Sequence, residues 1–235
     1  MSFWQVTLKR STSLSKSYII IGTITTIYGV VLSNLMTIIP SITPPDDTPV
    51  PVDLTSNFPL LSIALLSLSA VLFALPVIML YVYDKNNGVL EYLLSTGLDQ
   101  LDVFKGYVKA SLVLATYLLV FAVTLNTVVG VLLGTSLTLL ATIAILTFAI
   151  GISEVFLTSV CMVAFSSLQR TPMGANQPLG VIIGIIPMFP TLFLPIIFPT
   201  YAIIVDLTIA AITLLASTAL LLSIGRLIRR EKLLP

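Results

Sequence analysis

Residues 84–109, DKNNGVLEYLLSTGLDQLDVFKGYVK, form the longest charge-bearing stretch of an otherwise apolar chain. They hold three of the eleven Lys and Arg residues and four of the ten Asp and Glu residues. The first leucines recur at helical spacing, and the run Ser-Thr-Gly at 95–97 predicts a break in the helix. Asp99 then stands at an N-cap position ahead of a second apolar run. The segment therefore predicts two short amphipathic helices lying at a membrane surface.

The rest of the chain is too apolar for a soluble domain. Of its 235 residues, 57% are hydrophobic and 9% are charged, and the mean hydropathy is +1.10. Soluble domains carry roughly a quarter charged residues, so this composition predicts a polytopic membrane protein. The formal net charge of +1 gives no reason to expect nucleic acid as a partner.

Missing residue types exclude several chemistries. The sequence has no histidine, which rules out a Ser-His catalytic pair, histidine ligation of a metal and histidine proton relays. Its one cysteine, Cys161, cannot form an intrachain disulfide and is interpreted as packing. The Walker A pattern G-x-x-x-x-G-K-[S/T] does not occur, so ATP is not bound by that route. We therefore expect no catalytic residue, no metal site and no cofactor in this chain, and no enzyme activity of its own.

Hydropathy divides residues 18–235 into a single transmembrane domain of six spans, each long enough for a hydrocarbon core of about 30 Å. The spans are predicted at about 18–40, 59–83, 110–133, 137–165, 179–198 and 201–224. Prolines interrupt the last apolar region and predict a re-entrant element from about Pro187 to Thr200. The alternative there is a kinked helix end with a short loop. The predicted fold class is thus an all-α integral membrane protein with an amphipathic hairpin at 84–109.

The flanking segments are polar. Residues 1–17 mix aromatic, aliphatic and basic side chains, which is typical of a helix at the lipid interface, with a frayed terminus as the alternative. No cleavable signal peptide is expected, because the apolar run behind these residues is too long. Residues 41–58 form a proline-rich acidic loop, and residues 225–235 form a basic tail.

The distribution of charge predicts the topology. With six spans and the N-terminus inside, one side of the bilayer receives all eleven cations: Lys9, Arg10, Lys16, Lys85, Lys105, Lys109, Arg170, Arg226, Arg229, Arg230 and Lys232. The loops on the other side hold only the three aspartates of 41–58. The positive-inside rule therefore predicts a multi-pass plasma-membrane protein with both termini, segment 84–109 and loop 166–178 in the cytoplasm.

Three polar residues within the predicted spans are candidates for a translocation path: Asn126, Glu154 and Asp206. Glu154 is either a substrate or ion contact, or a structural group that is paired with a cation or protonated. Nearby hydroxyls that could bond it are those of Ser153, Thr158 and Ser159. Asn126 either joins helices or lines the path, and Asp206 either lines an exit or caps a broken helix.

A six-span chain with a surface hairpin after the second span resembles the permease subunits of ABC transporters of the ABC-2 type. The local match is DKNNGVLEYLLSTGL at 84–98, with Lys105-Gly106 beyond it. Family members show a charged start, a glycine, Leu-Glu-x-Leu-Leu, a small residue with proline, and then a Gly-Lys pair. This chain departs from the pattern at Gly97, where proline is usual, and in the order of Lys105-Gly106.

The resemblance implies an exporter in which two permease chains, identical or paralogous, pair in the bilayer. Each would dock a separate ATP-binding subunit that carries ATP and Mg, and segment 84–109 would couple the two. The expected coupling residues are Gly88, Glu91, Leu94 and Leu98. Gly88 would permit a sharp exit from the membrane, Glu91 would pair with a basic group, and Leu94 would fill an apolar notch. The alternatives are an ATP-independent secondary transporter or channel, and a membrane scaffold protein.

Overall fold

In the computed structural model, the described residues are 3–14, 16–42, 54–168, 186, 188–198 and 201–227. Over these ranges the chain is helical and contains no strand. The helices are α1 (Phe3–Leu14), α2 (Lys16–Ile42), α3 (Leu54–Asn86), α4 (Val89–Ser95), α5 (Gln100–Leu132), α6 (Leu137–Leu168), α7 (Met188–Ile197) and α8 (Ala202–Leu227). The all-α prediction is confirmed for this part of the chain.

Four helical stretches are long and apolar enough to cross a membrane. They are Ser62–Asn86, Gln100–Leu132, Leu137–Ala164 and Ala202–Ser223, which correspond to the second, third, fourth and sixth predicted spans. A fifth is possible if Phe3–Ser13 and Lys16–Leu32, which meet at a bend of 83°, form one span together. The helices thus agree with a membrane protein, and a total of six spans stays a prediction.

The region of the fifth span is only partly described. Residues 179–185 and 187 of the predicted range 179–198 lie outside the described residues, as do 43–53 of the acidic loop, 169–178 of the polar loop and 228–235 of the tail. Helix α7 has ten residues and is about 15 Å long, too short to cross a bilayer. A short helix therefore occurs where a re-entrant element is predicted, while its depth in the membrane stays a prediction.

The hairpin differs from its prediction in one respect. Only α4 is a separate short helix, because α5 begins at Gln100 and continues without interruption to Leu132. The prediction of a second short surface helix is therefore wrong. The reason is that no proline interrupts residues 100–132, and Gly106 alone costs a helix only about 1 kcal/mol. Residues 100–109 form the first turns of a candidate span rather than an independent surface element.

The largest buried cluster joins four helices and extends from α4 to the middle of the bundle. It contains Tyr81 of α3, Leu90 of α4, Tyr107 of α5 and Val160 of α6. Leu220, near the end of α8, packs against it. Helix α3 lies at the centre of the bundle, since 72% of its most apolar window is buried against 22% for α8. The end of α3, all of α4 and the beginning of α5 are thereby built on a shared core.

Hydroxyl groups connect neighbouring helices within this bundle. Thr26 of α2 donates its Oγ1–H to Ser69 Oγ of α3 over 3.0 Å. The Oγ atoms of Ser111 on α5 and Ser159 on α6 lie 2.6 Å apart. Such contacts between small polar residues are the usual means by which membrane helices associate.

Candidate functional site

Helix α1 lies across the adjoining ends of α3 and α5. There, residues of α1 and α5 enclose one carboxylate of α3. Arg10 donates from Nη1 to Asp84 Oδ2 over 3.0 Å and from Nη2 to Asp84 Oδ1 over 2.8 Å. Tyr107 Oη donates to Asp84 Oδ2 over 2.5 Å. The Asp84 side chain is 0% exposed, whereas that of Arg10 is 38% exposed. A buried carboxylate on α3 is thus compensated by groups from two other helices; we call Arg10, Asp84 and Tyr107 the clamp.

Aromatic contacts hold α1 in the same place. The ring of Phe3 meets Tyr107 edge to face at a centroid distance of 5.5 Å. Gly106 lies under the Phe3 ring, and a Cβ at this position would collide with it. The Lys109 Nζ stands 5.1 Å from the centre of the Trp4 ring, within the range of a cation–π contact. The glycine of the Lys-Gly pair therefore permits close helix contact.

Helix α4 is set off from its neighbours by two glycines in left-handed conformation. Gly88 has φ of 72° and is the N-cap of α4, two residues beyond the end of α3. Gly97, with φ of 87°, lies in the turn that leads to α5. An L-residue in this region of φ costs about 1–2 kcal/mol, so glycine suits both turns. Gly88 thus lies in a left-handed turn directly after α3, while a sharp exit from the membrane at this residue stays a prediction.

The two faces of α4 have different environments. Leu90 is buried, and Leu94 is partly buried against the same core cluster, so Leu94 contacts this chain's own interior. Glu91 lies in the first turn, with Oε2 3.9 Å from the Cβ position at Gly88. Leu98 is exposed in the turn that follows, and Tyr92 has 68% of its surface exposed.

Tyr92 was not predicted as a site residue. The signal that could have found it is the position of an aromatic side chain on the helix face opposite the leucines, where a polar residue is expected. Among the described residues of α4, Tyr92 has the largest exposed side chain with apolar surface.

Two carboxylates lie unpaired inside the bundle. Glu154 on α6 is 0% exposed and Asp206 on α8 is 1% exposed. None of their four oxygens accepts a hydrogen bond of good geometry from the described residues. The hydroxyls of Ser67 on α3 and Thr191 on α7 stand beside Glu154, and Asp206 lies near it. Side chains from four helices therefore surround a region of uncompensated acidity.

The hydroxyls predicted to bond Glu154 have other partners. Ser153 donates to Ile150 O over 2.8 Å, Thr158 to the backbone oxygen of Glu154 over 2.8 Å, and Ser159 to Val155 O over 2.6 Å. The expectation that they bond the carboxylate is therefore wrong. A hydroxyl on a helix reaches the carbonyl one turn earlier more easily than a neighbouring side chain, and this local bond prevails.

Asn126 contacts another helix. It is 5% exposed, and its Oδ1 accepts a hydrogen bond from Asn34 Nδ2 over 3.0 Å. This bond joins α2 to α5, which is the joining role considered for this residue. Asn34 was not singled out in the sequence, because its partner lies 92 residues away.

The described residues contain no group of three or more His, Cys, Asp or Glu residues that could hold a metal ion. Comparison with models of known protein families, with curated proteins and with solved structures gives no match. The assignment of function therefore depends on the sequence pattern of 84–109 and on the geometry of the clamp, α4 and the interior acids.

Proposed function

We propose that this chain is the transmembrane permease subunit of an ABC transporter of the ABC-2 type, which exports its cargo across the plasma membrane. ATP is hydrolysed by a separate ATP-binding subunit, and this chain converts that work into helix movement. The observation that carries the proposal is α4, a seven-residue helix between two candidate spans, bordered by two left-handed glycines. It occupies the position at which the family-like sequence pattern is found.

The exposed face of α4 is suited to docking a partner. Tyr92 and Leu98 are exposed, while Leu90 holds the opposite face to the core. Aromatic side chains that become buried on binding often dominate the energy of an interface. Glu91 adds an acidic group at the beginning of the helix, where a basic residue of the ATP-binding subunit would pair with it.

The inner face of α4 connects that docking site to the spans. Leu90 belongs to the same cluster as Tyr81 of α3, Tyr107 of α5 and Val160 of α6. Packed interiors transmit displacement because they have few voids to absorb it. A displacement of Tyr92 on docking is therefore expected to move three candidate spans together.

The distribution of charge supports a cytoplasmic position for this end of the protein. The clamp and the neighbouring segment bring Arg10, Lys85, Lys105 and Lys109 to the same end of the bundle. Short membrane-flanking segments rich in Lys and Arg remain inside the cell. Both termini are then cytoplasmic, and the exposed apolar faces of the spans meet lipid and a second permease chain.

The first test concerns docking. Replacement of Tyr92 by alanine should weaken capture of the ATP-binding subunit by about tenfold or more, because an aromatic anchor is lost. Tyr117→Ala is the matched control, since Tyr117 is equally exposed but lies within the α5 span. The measurement is co-purification of the detergent-solubilised chain with any Walker-motif protein that is encoded beside it. Capture of no such ATPase by the unmodified chain would refute the proposal.

A second test separates docking from coupling. Glu91→Lys should allow ATP hydrolysis in the assembled complex but reduce the stimulation of hydrolysis by cargo, because the charge contact to the ATPase is reversed. Full cargo-stimulated hydrolysis in this variant would show that Glu91 takes no part in coupling.

The unpaired acids favour one alternative, an ATP-independent secondary transporter. Intramembrane carboxylates often bind the coupling ion in such proteins. Purified chain in vesicles would then move cargo in response to a proton or sodium gradient without ATP. No feature of the described residues specifically favours a channel or a scaffold protein.

A further inference from the structure

The clamp has no part in the docking surface, yet it joins both ends of the hairpin. Asp84 lies two residues before the end of α3, and Tyr107 lies in the second turn after the start of α5. Arg10 reaches them from α1. We infer that Arg10 is a positioning residue. Through Asp84 and Tyr107 it fixes the angle between α3 and α5, and hence the position of α4. Its effect on transport rests on the proposed function, whereas its effect on the hairpin does not.

The hydrogen bonds specify a single arrangement. Both oxygens of Asp84 are engaged, one by Arg10 alone and one by Arg10 together with Tyr107. A guanidinium that binds a carboxylate through two parallel bonds fixes orientation as well as distance. Water does not reach the Asp84 side chain while these donors are in place, because the side chain has no exposed surface.

The arrangement is transmitted to α4 by direct contact. Tyr107 packs against Tyr81 at a ring distance of 5.2 Å, and both belong to the cluster that includes Leu90. The link from α3 to α4 consists of Asn87 and Gly88 only. A change in the angle between α3 and α5 must therefore move Leu90, and with it the exposed face of α4.

Loss of Arg10 alone should leave α1 attached. Phe3 still packs on Tyr107, and Lys109 still meets Trp4. The effect of an Arg10 substitution is thus expected in the position of the hairpin, with the helices themselves retained. This separation makes the inference testable in the full-length chain.

The test measures the position of α4 by spin labels in the full-length chain. Exposed Thr96 in the turn after α4 and exposed Ser136 in the α5–α6 turn are replaced by cysteine, and the buried Cys161 by alanine. Arg10→Gln should at least double the width of the 96–136 distance distribution. The double variant Arg10→Gln/Asp84→Asn, whose amides can bond one another without a buried charge, should restore a narrow distribution.

Asn34→Ala is the matched control, because it removes a buried polar contact between α2 and α5 that does not involve the clamp. An unchanged width in Arg10→Gln, or equal broadening in Asn34→Ala, would overturn the inference. If Arg10→Gln does not fold, Arg10→Lys, which keeps the charge but loses the two-pronged bond, should broaden the distribution to a smaller extent. An unchanged width of the distance distribution in Arg10→Lys would then also overturn the inference.

The functional readout is the amount of ATP hydrolysed per cargo molecule exported by the assembled complex. Arg10→Gln should raise this ratio about threefold or more, and the double variant should return it towards that of the unmodified chain. A ratio equal to that of the unmodified chain, despite a broadened distribution, would overturn the role in coupling. If the unmodified chain captures no ATPase, the proposed function fails, while the distance measurements still decide whether Arg10 positions α4.

Discussion

Buried acidic side chains have opposite environments in the clamp and in the interior of the bundle. Asp84 is enclosed by Arg10 and Tyr107, so both of its oxygens are satisfied. Glu154 and Asp206 are equally buried, but none of their carboxylate oxygens accepts a hydrogen bond of good geometry from the described residues. The difference separates a carboxylate that maintains one geometry from two buried carboxyl groups that no cation of the described residues neutralises.

The largest expected effect is the loss of stability when Arg10, the basic residue of the clamp, is replaced. Arg10→Ala should lower the free energy of unfolding by about 3 kcal/mol, because it leaves a buried carboxylate unpaired. Asp84→Asn should cost only about 1 kcal/mol, because Arg10 is partly exposed and can turn to water. Chemical unfolding in detergent micelles measures both. A larger loss for Asp84→Asn than for Arg10→Ala would contradict the comparison.

Replacing the interior acids Glu154 and Asp206 should change the free energy of unfolding in the opposite direction. Glu154→Gln and Asp206→Asn are each expected to leave stability unchanged or raise it by about 1 kcal/mol, since neutral amides are cheaper to bury than unpaired carboxylates. Asn126→Ala serves as the control, because that side chain has a partner and its loss should destabilise the protein. The same unfolding assay applies, and a loss above about 1 kcal/mol for either acid would indicate a structural partner.

The smallest expected effect concerns the turn between α3 and α4. Gly88→Ala should cost about 1 kcal/mol, because φ of 72° strains any L-residue although the surrounding space is open. Gly97→Ala meets a similar strain, with φ of 87°, and should cost about the same amount in thermal unfolding. If neither substitution lowers stability, the left-handed turns are not required for the hairpin.

Hydropathy sufficed to predict the helical class and four spans, because long apolar runs fold in lipid only as helices. It did not predict the clamp, because Arg10 and Asp84 are 74 residues apart and periodicity does not say which helices touch. Asp84 looked like the first residue of a surface segment, yet it is fully buried. The burial of Glu154 could be inferred from its apolar neighbours, whereas the placement of Ser67 and Thr191 beside it required the tertiary structure.

The two-residue connection between α3 and α4 has a mechanical consequence. Helix α3 has 33 residues and is therefore about 50 Å long. Because Asn87 and Gly88 are the whole connection, a tilt of α4 is expected to tilt α3 as well. A rotation of about 5° about its hairpin end would displace the opposite end by about 4 Å. If α4 docks a motor subunit as proposed, the central helix would act as a lever arm that enlarges a small motion at one end of the bundle into a larger one at the other.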